Sequence, residues 1–187
     1  MDDTSTISLV LAGDRSAFVS LMERYMHMVH TVAFRVLRNE LDAEEATQDT
    51  FLKAYQRLAE FKGEGKFSTW LYSIAYRTAI TALRRRKEVP NSLDELSEVG
   101  KEPTTAWVEP MDERAAILDK ALRTLSPEDA AVMTMFYLEE LSVEEIVTVT
   151  GMSASNVKVK LHRCRKRLYD VLHLQLKNET WTLVTSA

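Results

Sequence analysis

The sequence predicts an all-α fold in which two small helical domains are joined by an extended acidic linker. Apolar residues recur at i, i+3, i+4 and i+7 in both halves of the chain, which is the spacing of amphipathic helices. Between the halves, residues 88–111 lose this periodicity and hold three of the four prolines. Only the segment Glu179–Thr185 suggests a strand.

Three helices are predicted in the first domain, residues 1–87, and their apolar faces can close one core. The first helix carries an apolar stripe over residues 18–36. The second helix begins near Asp42, because Asp42 and Glu45 have the spacing of a capping box. The third helix covers residues 68–86 and follows a glycine-containing loop.

The second domain, residues 112–172, is predicted to contain a helix-turn-helix. Ser142 and Glu145 form a complete capping box at the start of a short helix. Gly151 lies where a tight turn needs a permissive backbone, and Ser153 caps the last helix. Short capped helices around such a turn are typical of DNA-binding domains.

The net charge of −4 hides two compact basic blocks. Residues 60–87 and 153–170 each carry a net charge of +5, whereas residues 88–152 carry −11. Basic blocks separated by an acidic stretch indicate two separate surfaces for nucleic acid. Within the linker, residues 88–111, only Trp107 suggests a contact with another part of the molecule.

The last predicted helix has small polar side chains in its first turn and cations behind them. This order suits a recognition helix, whose N-terminal end reaches base edges while Lys and Arg contact phosphates. A helical hairpin with a solvated basic face is the alternative, but caps, turn and charge together favour DNA binding. The candidate contacts are Ser153, Ser155, Asn156, Lys158, Lys160, Arg163, Arg165 and Lys166.

A second nucleic-acid signal lies in residues 66–87, where aromatic side chains precede a cationic end. Aromatic faces stack on unpaired bases and cations follow the backbone, as in single-strand binding. Phe67 and Trp70 fit a core position at least as well. Tyr72 and Tyr76 lie further from the apolar stripe and are the better candidates for base contacts.

The acidic segment 42–51 is a third signal, although a solvated helix start favoured by the helix dipole would explain it alone. Metal and enzyme signals are weak. His27 and His30 are one turn apart without a Cys or carboxylate cluster, and Cys164 lies on an apolar stripe. No metal site, cofactor or catalytic residue is predicted.

The chain is expected to work in the cytoplasm without membrane insertion. It has one cysteine and therefore no internal disulfide, and its acidic N-terminus lacks the pattern of a signal peptide. No apolar stretch is long enough to cross a bilayer. The tail, residues 173–187, has no assigned role.

The three signals together resemble the bacterial sigma-70 family of RNA polymerase sigma factors, specifically the extracytoplasmic-function (ECF) group. The resemblance covers about residues 8–170. It rests on four segments in the family's order: GDRSAF (Gly13–Phe18), DAEEATQDTFLKAY (Asp42–Tyr55), FSTWLYSIA (Phe67–Ala75) and LSVEEIVTVTGMSASNVKVKLHRCRKRL (Leu141–Leu168). The group keeps only the second and fourth conserved regions of larger sigma factors.

The resemblance implies that residues 1–87 form sigma region 2 and residues 112–172 form sigma region 4. In the family, region 2 docks on the clamp helices of the largest polymerase subunit, and the matching residues here are Asp42, Glu45, Gln48, Asp49 and Phe51. Region 2 also melts the −10 promoter element, for which the candidates are Lys62, Lys66, Tyr72, Tyr76, Arg77, Arg84 and Arg85. The helix-turn-helix reads the −35 element, and the flap of the second-largest subunit is a further implied partner.

The implied function is promoter-specific transcription initiation together with core RNA polymerase, without an enzymatic activity of its own. An anti-sigma factor is expected by resemblance alone, since ECF factors commonly have one. The alternative is a free-standing helix-turn-helix regulator, and the docking motif and melting segment argue against it.

Overall fold

The computed structural model describes residues 2–88 and 113–185, and every regular element in these ranges is helical. The all-α prediction is therefore confirmed. The helices are α1 (Asp3–Leu11), α2 (Ala17–Leu37), α3 (Glu40–Gln56), α4 (Phe67–Glu88), α5 (Glu113–Arg123), α6 (Pro127–Tyr137), α7 (Val143–Thr150) and α8 (Ala154–Thr185), with a 3-10 turn at Leu58–Glu60. Most of the predicted linker, including Trp107, lies outside the described residues. The domain boundaries at 87, 111 and 172 stay predictions.

Region 2 is built from α2, α3 and α4, which pack on one another around a single core. The predicted stripe of α2 is confirmed, since Leu21, Val29 and Val32 are fully buried. Ala43 and Ala54 of α3 and Leu71 of α4 complete the core. Their small and branched side chains let the three helices approach closely.

The start of α3 corrects the predicted capping box at Asp42 and Glu45. Asn39 is the N-cap, and its side chain accepts a hydrogen bond of 3.0 Å from the backbone N–H of Asp42. Asn39 adopts an extended conformation, as an N-cap residue should, and its amide oxygen serves as well as a carboxylate. The helix therefore begins at Glu40.

Helix α1 was not predicted, because its Ser- and Thr-rich sequence has no clear apolar stripe. Asp2 caps it by accepting a hydrogen bond of 2.7 Å from Ser5 N–H. Ile7 and Val10 are buried, and α1 packs against α2. An ion pair between Arg24 and Asp3 links the two helices.

Region 4 confirms the predicted caps and turn. Ser142 Oγ accepts from Glu145 N–H at 3.1 Å while Glu145 Oε2 accepts from Ser142 N–H at 2.9 Å. Gly151 ends α7 at φ 74°, in the left-handed region that favours glycine. Ser153 Oγ then accepts from Asn156 N–H at 3.2 Å, which starts α8.

Helix α8 continues through residues 171–185, so the suggested strand at Glu179–Thr185 is wrong. β-Branched residues in that segment gave the strand signal, but such propensity is weak evidence. No glycine or proline follows Gly151, and nothing in the sequence interrupts the helix.

The two domains contact each other through α2 against α6 and through α4 against α7. An ion pair between Arg35 and Asp119 and a hydrogen bond from Arg38 to the Leu125 carbonyl join α2 to region 4. Glu145 joins α4 to region 4 by accepting from Thr69 Oγ1 at 3.2 Å. One side of α4 is therefore in contact with region 4 in this arrangement.

Candidate nucleic-acid and polymerase interfaces

The recognition surface on α8 is held in place by the core of the helix-turn-helix. Ile146 and Val149 of α7 pack with Val157 and Leu161 of α8, and all four are buried. Cys164 is buried on the same stripe, as predicted, and burial raises the pKa of its thiol. This packing fixes which side of α8 faces solvent.

Seven of the eight predicted α8 contacts are exposed: Ser153, Ser155, Asn156, Lys158, Arg163, Arg165 and Lys166. Arg165 lies over the ring of Tyr137, with its guanidinium carbon 5.9 Å from the ring centroid. Lys160 differs, because its ammonium group pairs with Asp129 of α6 at 2.5 Å. In this structure Lys160 ties α8 to α6 and is half-buried.

The first two aromatic residues of α4, Phe67 and Trp70, belong to a cluster of aromatic side chains within region 2. Phe67 is buried, with its ring centroid 5.5 Å from that of Trp70 and 5.6 Å from that of Tyr25. Phe61 lies 5.5 Å from Phe67 in an edge-to-face arrangement. The core interpretation of Phe67 and Trp70 fits this cluster.

Tyr72 and Tyr76 are buried, at 1% and 5% exposure, so the expectation that they lie off the apolar stripe is wrong. Burial raises the pKa of Tyr72, and the neighbouring Glu139 carboxylate adds to the shift. Burial and the negative charges of Glu128 and Asp129 raise the pKa of Tyr76 to about 12. In the closed arrangement neither ring is available to a DNA base.

The cations predicted to meet the −10 element are mostly open to solvent. Lys62, Arg77, Arg84 and Arg85 are exposed along the loop and α4. Lys66 is exposed as well, but its ammonium group lies 3.0 Å from Glu145 Oε1 of region 4. The positive charge of this surface is therefore partly neutralised from within the chain.

The predicted polymerase-docking residues share the outer side of α3, with one exception. Glu45, Gln48 and Asp49 are exposed, and Asp42 pairs with Arg86 at 3.3 Å. Phe51 is 3% exposed and belongs to the core, so it supports this surface from below.

A groove of about 540 Å³ runs beside the polar face of α3, between α3 and α4. Charged side chains of both helices line it: Asp42, Glu45, Asp49 and Lys53 of α3, and Arg85 and Arg86 of α4.

Several residues that shape these surfaces were missed from the sequence. They are four acidic side chains of region 4: Glu128, Glu139 and Glu145, which act on side chains of α4, and Asp129, whose carboxylate pairs with Lys160 of α8. The net charge of −11 over residues 88–152 was the available signal. These four carboxylates lie within residues 128–145, outside the predicted linker.

In the part of the chain that the structure describes, no helix has the length and apolar character needed to cross a membrane. Within the same residues, no three His, Cys, Asp or Glu side chains lie close enough to hold a metal ion. His30 instead lies near Glu40, with 3.2 Å between Nε2 and Oε1.

Comparison with known families places both domains. Residues 21–89 match sigma-70 region 2, and residues 115–168 match sigma-70 region 4. The chain is 30% identical over 174 residues to the ECF RNA polymerase sigma factor SigW of Bacillus subtilis (strain 168), which covers 87% of this chain and 92% of that relative.

Two solved structures share the fold. The structure of CnrH in complex with the cytosolic domain of CnrY has a TM-score of 0.67 at 22% identity, over 92% of this chain and 97% of that chain. The sigma factor RpoE in complex with the anti-sigma factor NepR from Bartonella quintana has a TM-score of 0.69 at 22% identity, over 83% and 96%. At this identity the likeness shows the fold alone.

A helical region 2 and a helix-turn-helix region 4 in one chain define a transcription initiation factor. The chain belongs to the sigma-70 family of RNA polymerase sigma factors, in its extracytoplasmic-function group. As a sigma factor it binds core RNA polymerase and promoter DNA.

Proposed function

We propose that this sigma factor reads the −35 promoter element with the first turns of α8. The supporting observation is the exposed N-terminal end of that helix, where Ser155 and Asn156 face solvent above a rigid turn. An Asn side chain can donate and accept at one base edge, as adenine recognition requires. Arg163 and Arg165 lie further along, where contacts to phosphates position the helix.

The −10 element is assigned to α4 and the loop before it. Arg77, Arg84 and Arg85 form an exposed cationic track, and Lys62 extends it into the loop. Tyr72 and Tyr76 would stack on unpaired bases once region 4 has moved away. In this division, region 4 recognises double-stranded DNA and region 2 binds the unpaired bases of the melted strand.

Core polymerase is assigned to the polar face of α3. The exposed Glu45, Gln48 and Asp49 match the family's motif for the clamp helices of the largest subunit, and Phe51 keeps their helix in register from the core. Region 4 would contact the flap of the second-largest subunit, which would fix the spacing between the two DNA elements.

We also propose that an anti-sigma factor inhibits this protein. The protein itself would act in the cytoplasm. The support is by analogy: RpoE of Bartonella quintana, which shares the fold, was solved bound to an anti-sigma factor. CnrH was likewise solved with the cytosolic domain of CnrY.

The test is promoter-directed transcription by purified core polymerase on a library of templates with randomised −35 and −10 positions. The wild-type chain should select a defined pair of elements, and Arg163→Glu should abolish selective transcripts. Arg57→Glu is the matched control, since Arg57 is equally exposed but lies outside all three proposed surfaces. Selection that survives Arg163→Glu, or that fails equally in Arg57→Glu, would contradict the assignment of α8.

A further inference from the structure

One exposed side chain in the middle of the basic surface of α8 is apolar. Val159 is 42% exposed, whereas every other exposed residue between Ser155 and Arg167, a range that the structure describes completely, is polar or charged. Val159 is not among the side chains that pack in the core. Valine also has a lower helix propensity than alanine. The folding of region 4 therefore does not account for this side chain.

The packing of the helix-turn-helix places Val159 on the outer side of α8. Val157 and Leu161, two residues before it and two residues after it, are buried at 0% and 2% exposure. Two residues correspond to roughly 200° around a helix axis, so Val159 points away from the packed side. A rotation of α8 that buried Val159 would expose both of these core residues. Its direction is therefore fixed by the fold.

Val159 lies between two side chains that are proposed to contact the −35 element. Asn156 is three residues before it and Arg163 is four residues after it, and both are exposed. Residues at these spacings are neighbours on the surface of a helix. Three residues advance a helix by roughly 4.5 Å, compared with roughly 3.4 Å between successive base pairs. The side chain of Val159 therefore reaches the major groove within about two base pairs of the base that Asn156 would read.

The major groove offers a valine side chain one favourable kind of contact. The base edges carry hydrogen-bond donors and acceptors, which valine cannot satisfy, and the C5-methyl group of thymine, which is apolar. A phosphate that lost water to a valine would gain no hydrogen bond in return. Contact with a thymine methyl group removes apolar surface of both partners from water. Of the four bases, thymine is therefore the one that fits Val159.

We propose that Val159 is a specificity-determining residue of the −35 surface and selects a thymine through contact with its C5-methyl group. The proposal rests on the proposed function of α8 in reading the −35 element. It predicts a T·A pair within about two base pairs of the position that depends on Asn156. At that pair, the methyl group and not the hydrogen-bonding pattern carries the preference.

The experiment separates the methyl group from the rest of the base. Holoenzyme formed from core polymerase and the full chain first selects its −35 sequence from the randomised library. Each thymine of that sequence, on either strand, is then replaced singly by deoxyuridine, which lacks the methyl group and keeps every hydrogen-bonding group. The holoenzyme concentration that gives half-maximal promoter-directed transcription is measured on each template.

Val159→Ala is the test variant, and Val19→Ala is the matched control. Val19 is an exposed valine of α2, at 51% exposure, outside the proposed DNA and polymerase surfaces. Both substitutions remove the two methyl groups of a valine from an exposed helical position. Each should therefore leave the thermal unfolding curve nearly unchanged.

With the wild-type chain, deoxyuridine at one −35 position should raise the half-maximal concentration by roughly fourfold, the ratio that about 0.8 kcal/mol for one buried methyl group gives at 25 °C. With Val159→Ala, the templates with thymine and with deoxyuridine at that position should require equal concentrations. Val19→Ala should keep the wild-type difference between the two templates.

The proposal is wrong if the selected −35 sequence contains no thymine, or if no single deoxyuridine changes the half-maximal concentration of the wild type. It is also wrong if Val159→Ala keeps the difference between thymine and deoxyuridine, because another side chain would then contact the methyl group. In each of these cases, selection that Arg163→Glu abolishes would still support α8 as the −35 surface. A wild-type chain that selects no −35 sequence would instead contradict the proposed function and the role of Val159 together.

Discussion

The two proposed nucleic-acid surfaces of this sigma factor differ in accessibility, although both are basic. The first turns of α8 are open to solvent, whereas Tyr72 and Tyr76 of α4 are buried. Duplex DNA is present before initiation, while unpaired bases exist only after melting. The surface suited to duplex is available in the free chain, and the surface suited to single strands is not.

The same contrast holds for charge. On α8, Lys158, Arg163 and Lys166 stay exposed, and only Lys160 of the predicted set pairs with an acidic residue of α6. On the α4 side, Lys66 is paired with Glu145 from the other domain. An ion pair this exposed contributes little, about 0–1 kcal/mol. The pairing of Lys66 with Glu145 therefore adds little to the contact between α4 and region 4.

The largest effect on the free energy of unfolding is expected from weakening the packing of α7 against α8, which holds the exposed surface of α8 in place. Ile146 is fully buried between α7 and α8, so Ile146→Ala should cost about 2–5 kcal/mol of unfolding free energy in region 4. Amide hydrogen exchange of peptides from residues 143–168 measures this loss directly.

Thr148→Ala is the control for that measurement, because Thr148 lies on the same helix and is exposed. Its effect should stay within about 0.5 kcal/mol. Equal protection in both variants would show that α8 does not depend on α7 for its position.

Within the open surface, the two ends of the recognition helix should act differently. Asn156→Ala should change the preference at one or two −35 positions by roughly 1–3 kcal/mol per lost bidentate contact. Arg165→Ala should weaken all promoters alike and reduce the salt slope by roughly 0.9 per lost phosphate contact. Arg165 lies nine residues further on, roughly 13 Å along the helix axis, so one groove does not place both on base edges.

Transcription from the promoter library with each variant tests this division. The reverse pattern, with Arg165→Ala re-ranking the −35 sequences and Asn156→Ala scaling them all, would reverse the orientation of the helix.

The sequence alone was enough to predict the exposed surface of α8, but it did not predict the burial of the tyrosines of α4. The reason is physical. The cap at Ser142, the turn at Gly151 and the stripe of α8 are local signals, and each is readable within a few residues. Burial raises the pKa of Tyr72, and Glu139, which is far away in sequence and belongs to the other domain, raises it further. Nothing in the local pattern of α4 indicates which face a second domain will cover.

A smaller effect on the free energy of unfolding, which depends on pH, is expected at Glu145, where region 4 contacts α4. The backbone hydrogen bond from Ser142, with Lys66 and Thr69, lowers the pKa of Glu145 to about 2 from an ordinary value of 4.5. A lowered pKa stabilises the folded chain above about pH 4.5, and this contribution is lost as pH falls towards 2. Glu145→Gln keeps an amide for the capping box, so it should cost about 1 kcal/mol at pH 7.

Thermal unfolding between pH 7 and pH 3 gives the measurement, and the difference between variant and wild type should shrink as the pH falls. Glu144→Gln makes the same charge change at the neighbouring exposed residue and is the control. A difference that stays constant with pH would mean that the charge of Glu145 contributes nothing to α7 or to its contact with α4.

The smallest effect on stability is expected on α3. Its polar face is exposed to solvent, as are the first turns of α8. Gln48→Ala combined with Asp49→Ala should change the unfolding free energy by less than about 0.5 kcal/mol, because both side chains are exposed and the Asp49–Lys53 ion pair is long, at 3.5 Å. Association with core polymerase should nevertheless weaken, since this face needs no opening to dock. Gln56→Ala with Glu60→Ala likewise removes one glutamine and one carboxylate, beyond the proposed contact, and should leave association unchanged. Pull-down of core enzyme by each double variant, beside its thermal unfolding curve, separates binding from folding. Unchanged association in the Gln48 and Asp49 variant would remove the polar face of α3 from the polymerase interface.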